Sequence, residues 1–254
     1  MLRNTQGIVL HTTKFSESSL IAKVFTRELG LRSYLVKGVR GNRRAIGKAN
    51  LLQPMSHLEM NVYENTRKEI QYIKEMQPAR HYNNLRGDGV RMSLLFFMDE
   101  VLYKSVREEV PNPGLFDYVV GQLERIDGQL TQSETATLPL DFLIHAAHHL
   151  GIEPLDNYSN SEPLFNLKEG RFLSGPSVHT NAPDAEPTYY LDARSSSDLH
   201  SCLQYAKHSG SLSAPTLPAV RRHETLNHLL EYYHLHLADF HNFHSHEVFH
   251  AVLR

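Results

Sequence analysis

Apolar and polar positions alternate with a period of two through most of the first eighty residues, then recur at helical spacing through most of the remainder. Gln6 to Thr13 contains GIVLHTT, rich in β-branched residues, and predicts a first strand. Ser19 to Thr26 sets Leu20, Ala22 and Val24 on one face and Lys23 and Phe25 on the other, predicting a second. Leu31 to Gly38 gives a third, with Arg32, Tyr34 and Val36 sharing a face. His57 to Tyr63 alternates Leu58, Met60 and Val62 inward, and Lys68 to Met76 places Ile70 and Tyr72 opposite Ile73. The breaks between these runs hold turn formers, Ser16-Glu17-Ser18 after Lys14 and Leu29-Gly30 after the second strand.

Five short strands in so short a stretch fit a small closed barrel, because closure removes the unpaired edges an open sheet would expose. The expectation is an OB-fold over residues 1–78, an architecture that binds single strands across its second and third strands.

The charge supports that expectation. Residues 1–80 hold 14 Lys and Arg against 6 Asp and Glu, a net of +8, and residues 81–254 hold 12 against 22, a net of −10, so the formal −2 of the whole chain averages a basic head and an acidic body. The head's charge is densest in Lys37 to Lys48, KGVRGNRRAIGK, with Lys37, Arg40, Arg43, Arg44 and Lys48 and no acid. With only Val39 and Ile46 as sizeable apolar side chains, this segment is expected to be a mobile, solvated loop whose cations meet a polyanion. Lys14, Lys23, Arg27, Arg32 and Tyr34 join it as expected nucleic-acid contacts, since cations beside aromatic rings neutralise phosphates while stacking bases. General burial tendencies also allow Phe25 and Tyr34 to be barrel core, and the strand cations to be solvated faces.

The remainder, 79–254, is expected to be a helical domain. Leu94, Leu95, Met98, Val101 and Leu102 form a helical stripe within Arg91 to Val110, stopped by Pro111-Asn112-Pro113. Further helices are expected from Gly114 to Ile126, from Leu138 to Leu150 with Gly151 ending it, and from Val220 to Phe240. Between Ile152 and Arg194 five prolines and short apolar pieces mark an insertion, with a hairpin at Leu164 to Leu173 around Lys168-Glu169-Gly170. Ser195-Ser196-Ser197 is expected to cap a helix through Tyr205. The fold class is therefore α+β.

Chemistry-bearing motifs are sparse. The lone Cys202 excludes an intramolecular disulfide and a multi-cysteine metal site. No G-x-S-x-G, P-loop or G-x-G-x-x-G pattern occurs, which favours a protein without catalysis and without a cofactor. His241, His244 and His246 offer three imidazoles, leaving a metal-dependent hydrolase as one alternative, although histidine-rich ends are more often polar surface. An RNA- or ribosome-binding adaptor is a second alternative. No apolar run approaches the length of a membrane span and no signal layout opens the chain, so a cytoplasmic, nucleoid-associated protein with no membrane partner is expected.

The run GIVLHTTKFSESSLIAKVFTRELGLRSYLVKGVRG resembles the RecO-type recombination mediators of bacterial DNA repair. LLQPMSHLEMNVYE, PNPGLF, DFLIHAAHHLGIEP and LLEYYHLHL continue the resemblance in order over most of the chain. It implies an OB-fold followed by a helical domain, with no enzymatic turnover. It also implies binding of single- and double-stranded DNA, annealing of complementary strands, partnership with RecR and with the tail of the single-stranded DNA-binding protein, and help in loading RecA. Many relatives carry a four-cysteine zinc motif in the inserted region. Here Ile152 to Arg194 contains no cysteine, so zinc is not carried over and the hairpin is expected to be held by packing.

Overall fold

The computed structural model describes residues 1–39, 43–65, 67–107, 109–175, 189–208 and 215–245, with the backbone alone at 43–45. Its first strand, β1 (Leu2–Lys14), is long enough to serve two neighbours. The part from Leu2 to Ile8 pairs with β4 (His57–Tyr63), and the part from Gly7 to Lys14 pairs with β2 (Ser19–Thr26). β3 (Gly30–Lys37) follows β2 antiparallel, and β5 (Ile70–Pro78) lies parallel to β3 and antiparallel to β4. The order β1-β2-β3-β5-β4 closes into a barrel with no free edge, as the strand pattern predicts.

Inward-pointing alternation fills the barrel with Val9, Ala22, Val24, Tyr34, Val36, Leu58, Met60 and Val62. Gly7 lies where β1 passes from one partner strand to the other. A Cβ there would meet Met60 Cε and Val24 Cγ1 at 2.5 Å, so any larger residue displaces core side chains. Gly30 turns the chain into β3 with φ of 71°, a conformation in which a Cβ costs energy.

The basic segment is not the wholly mobile loop that its composition predicts. Arg40, Gly41 and Asn42 lie outside the described residues, but Arg43–Leu51 forms helix α1. The reason is anchorage at both ends. Val39 is buried and its N–H donates to Ser18 O at 3.0 Å, while Leu51 and Leu52 pack on the barrel core. Tertiary burial thus supplies the apolar contact that the segment lacks by itself.

The chain divides into two compact units, one built on Met1–Gln129 and the other on Leu130–His244. The barrel shares its unit with α2 (Gly89–Ser105) and α3 (Pro113–Asp127). α2 ends at Ser105, short of the expected Val110, and Pro111 is not what stops it. Val106 is already extended, and Glu109 N–H donates to Leu31 O, so the segment before Pro111 packs beside β3 rather than continuing the helix.

In the second unit α4 (Gln132–Leu150) starts six residues before the expected Leu138. Thr131 and Glu134 form a capping box that opens the helix, and Pro139 sits inside it instead of at its first turn. Gly151 ends it in the left-handed region. The hairpin is present as β6 (Leu164–Asn166) and β7 (Arg171–Leu173), with Phe165 and Phe172 buried. Asn157 completes it from the side: its Oδ1 accepts from Phe172 N–H and its Nδ2 donates to Phe172 O, both at 2.9 Å. α5 (Ala193–Lys207) is capped by Asp192, not by the serine run, because Asp192 accepts from Ser195 N–H at 2.8 Å. Ser196 turns inward instead and accepts from Phe165 N–H. α6 (Ala219–His236) buries Leu226, Leu229, Leu230 and Tyr233, and the Tyr233 hydroxyl donates to Leu143 O on α4. No described helix is long and apolar enough to cross a membrane.

Candidate nucleic-acid interface

Strand alternation decides which of the basic head's side chains face outward. On β3, Tyr34 and Val36 point into the barrel, so Leu35 and Lys37 point out. On β5, Ile73 packs inward, so Ile70 and Tyr72 point out. Parallel pairing sets Leu35 level with Tyr72 and brings Lys37 to the same patch. Lys37 Nζ lies 5.7 Å and Lys68 Nζ 5.8 Å from the centre of the Tyr72 ring, a cation–aromatic arrangement with both ammonium groups near the surface. Beside it a groove of about 380 Å³ is lined by Lys37, Lys48, Tyr72, Lys74, Glu75 and Met76. Lys48, in the last turn of α1, complements that helix's partial negative end and is exposed. Three ammonium groups against one carboxylate make this part of the barrel wall attractive to a polyanion.

The expected contact residues divide between this surface and other duties. Lys37 and Lys48 line the groove. Lys14 is exposed at the end of β1. Lys23 is outward on β2 but its Nζ sits 5.7 Å from the ring centre of Tyr103 on α2. Arg43 and Arg44 begin α1 with side chains outside the described residues, and Arg40 lies outside them altogether.

Two arginines are engaged by acids. Arg27 donates through Nε and Nη2 to both carboxylate oxygens of Asp117 at 2.8 Å, which holds the guanidinium's proton more tightly and keeps the Asp117 carboxyl below its usual range. Arg32 pairs with Glu109 and lies 3.8 Å from Glu64. Both therefore spend charge within the protein.

Tyr34 requires a correction: it is 0 % exposed, and its hydroxyl donates to Glu64 at 3.1 Å. Burial first, and Glu64 second, push its pKa above the ordinary phenol range. Its ring is a core side chain and cannot stack a base. Alternation alone cannot assign inside and outside, and the mixed face of Arg32, Tyr34 and Val36 conceals that it points inward. Tyr72 and Lys68, absent from the expected contacts, are legible only as the polar side of the fifth strand.

The terminal histidines do not form a complete trio among the described residues. His241 Nδ1 lies 3.0 Å from His234 Nδ1, and His246 falls outside the description. No group of three or more His, Cys, Asp or Glu placed to hold a metal occurs among the described residues. Nor does the inserted region fit a thiolate zinc site. Cys202, in α5, is buried and its thiol is pushed up to about 12, chiefly by that burial.

Comparison with known proteins bears on the whole chain. The family model described as "Recombination protein O N terminal" matches residues 1–82, and "Recombination protein O C terminal" matches residues 86–172. Proteins named DNA repair protein RecO are similar along the length. That of Christiangramia forsetii is 28 % identical over 240 residues, covering 94 % of each chain. That of Porphyromonas gingivalis W83 is 28 % identical over 246 residues, again covering 94 % of each. That of Flavobacterium johnsoniae is 31 % identical over 168 residues, 66 % of this chain and 69 % of the relative.

Proposed function

This chain belongs to the recombination protein O family, and from that membership we propose that it is a non-enzymatic DNA-binding protein of DNA repair and recombination. Residues 1–78 are the nucleic-acid-binding part and bind single- and double-stranded DNA. The observation that carries the proposal is the lysine surface around Tyr72, where Lys37 and Lys68 flank the ring and Lys48 lines the adjoining groove. Lys and Arg on such a surface gain affinity by releasing counterions condensed on a phosphate backbone, without reading sequence. Lys14 and Lys23 add further positive charge to the same barrel.

In this reading the protein anneals complementary strands and helps load RecA onto DNA coated by single-stranded DNA-binding protein, acting with RecR. Annealing needs a surface that holds phosphates and tolerates any sequence, which lysines provide. The acidic tail of the single-stranded DNA-binding protein requires a surface that is both cationic and apolar.

The test is a titration of labelled single-stranded DNA at two salt concentrations, with the charge-reversed variant Lys37→Glu/Lys48→Glu/Lys68→Glu beside the natural protein. We expect affinity to fall steeply with salt, and the variant to bind every sequence more weakly with a salt slope reduced by about one per lysine removed. Salt-insensitive binding, or an unchanged variant, would overturn the proposal. RNA that displaces the DNA at much lower concentration than unlabelled DNA would favour the adaptor reading instead.

A further inference from the structure

Over most of their length the outer faces of β4 and β5 are polar. Asn61 Nδ2 donates to Glu75 at 3.4 Å and Gln77 Nε2 to Glu59 at 2.9 Å across the two strands. At the end nearest β3 the character changes. Tyr63 and Tyr72 stand directly opposite one another in the antiparallel register, next to the inward pair Val62 and Ile73. Both therefore face outward on adjacent strands, with Cβ atoms about 5 Å apart by the geometry of such pairs. Tyr63 is 48 % exposed and Tyr72 37 % exposed, unusual for two large rings side by side on a barrel wall. The register continues the row, since Tyr72 is level with Leu35 on β3, Leu35 with Ile21 on β2, and Tyr63 with Leu2 on β1.

An apolar row across a sheet fits several occupants, and the charge beside it selects one. Lys37, at the end of β3, and Lys68, in the turn before β5, both reach the Tyr72 ring, within 5.8 Å of its centre. Flat rings flanked by ammonium groups match a chain of alternating bases and phosphates. They match a duplex poorly, because paired bases already bury their faces against each other. A docked protein segment would satisfy the rings but would need its own acids opposite these lysines.

We propose that Tyr63 and Tyr72 form a stacking platform for unpaired bases, giving the barrel a preference for single-stranded over duplex nucleic acid. This rests on the DNA-binding reading above and adds to it which surface discriminates the two forms. The strand then runs across β3, β5 and β4, and not along the β2–β3 face expected of the fold.

The full chain should be titrated against oligothymidylate, a duplex of equal length and an abasic strand with the same number of phosphates. We expect Tyr63→Leu/Tyr72→Leu to lose about tenfold or more in affinity for oligothymidylate while affinity for the duplex and the abasic strand is unchanged, and Tyr63→Phe/Tyr72→Phe to bind as the natural protein does. As the chain contains no Trp, Tyr72→Trp creates a single indole reporter, whose emission should be quenched by oligothymidylate and not by the abasic strand. That variant decides the matter if the leucine variant fails to fold. Retained oligothymidylate affinity in the leucine variant, equal loss on all three ligands, or an unquenched indole would overturn the platform while leaving the lysine surface standing. A natural protein that binds none of the three would overturn both.

Discussion

The Tyr34 hydroxyl and Arg32 Nε converge on one carboxylate, Glu64, at 3.1 Å and 3.8 Å, and this partly buried trio ties β3 to the residue that follows β4. A side chain so placed acts on stability and not on ligand affinity. Tyr34→Phe removes a hydrogen bond to a charged acceptor and is expected to cost about 1.5–3 kcal/mol, less if Glu64 relaxes toward Arg32. Tyr34→Ala empties the core and should cost roughly 3–5 kcal/mol, by analogy with Phe→Ala. Urea unfolding measures both changes. The Phe variant should keep the natural affinity for DNA, and a large loss there would return Tyr34 to the contact surface.

Arg27 and Asp117 form an exposed two-point pair, so removing either should alter stability little. Their effect on DNA binding should be unequal. Arg27→Ala is expected to bind DNA almost normally, whereas Asp117→Ala leaves the guanidinium with only the longer contact to Glu28 at 3.4 Å and should raise affinity at low salt, steepening the salt slope by up to about one. Paired titrations at low and moderate salt distinguish this from an Arg27 that contacts DNA despite its partner.

Asp99 on α2 has a carboxyl pushed up to about 8, first by burial and second by the charge of Glu100, and its Oδ1 has no hydrogen-bond partner among the described residues. The folded protein therefore holds a proton that the unfolded chain, near the ordinary carboxylate value, has released. Stability from this group is fully present below about pH 4 and is lost as pH rises through about 8. Asp99→Asn should be close to neutral at pH 4 and increasingly stabilising up to pH 9, reaching on the order of a few kcal/mol. Thermal melts of the two proteins across that range make the check. Parallel curves would show that the carboxyl is ionised in the fold throughout.

Asn157 satisfies both backbone groups of Phe172 and also donates to Glu162 at 2.8 Å, so it does by hydrogen bonding what a bound metal would do by ligation. Asn157→Ala leaves the two Phe172 groups without partners and should destabilise the second unit by roughly 2–4 kcal/mol. Chelator added to the natural protein should leave its melting temperature unchanged. A melt that falls with chelator would point to a metal in this region.

Much of the architecture follows from local rules that the chain carries in order. Period-two alternation between turn formers determines five strands, and the stripes of α2, α3, α4 and α6 determine four helices, because each pattern has one low-energy way to bury its apolar side. The basic head and acidic body are likewise a property of composition. Boundaries set by competing partners escaped this reading. Pro139 marks a helix start by local preference, yet Thr131 and Glu134 open α4 earlier, and the serines in the first turns of α5 yield the capping position to Asp192.

Composition alone determined that the first eighty residues carry a surplus of cations, and alternation determined which residues share a face. Only the closed barrel decided which face is inside, burying Tyr34 and exposing Tyr63 and Tyr72, since the sign of an alternating pattern is set by the strands that surround it. Only tertiary contact decided which cations remain for a ligand. Asp117 and Glu109, far along the chain from Arg27 and Arg32, take up those charges, while Lys37 and Lys48 share one groove and Lys37 meets Lys68 at the Tyr72 ring because β5 lies beside β3. Such partners are separated in sequence by the loops that fold them together, and no local pattern encodes the meeting.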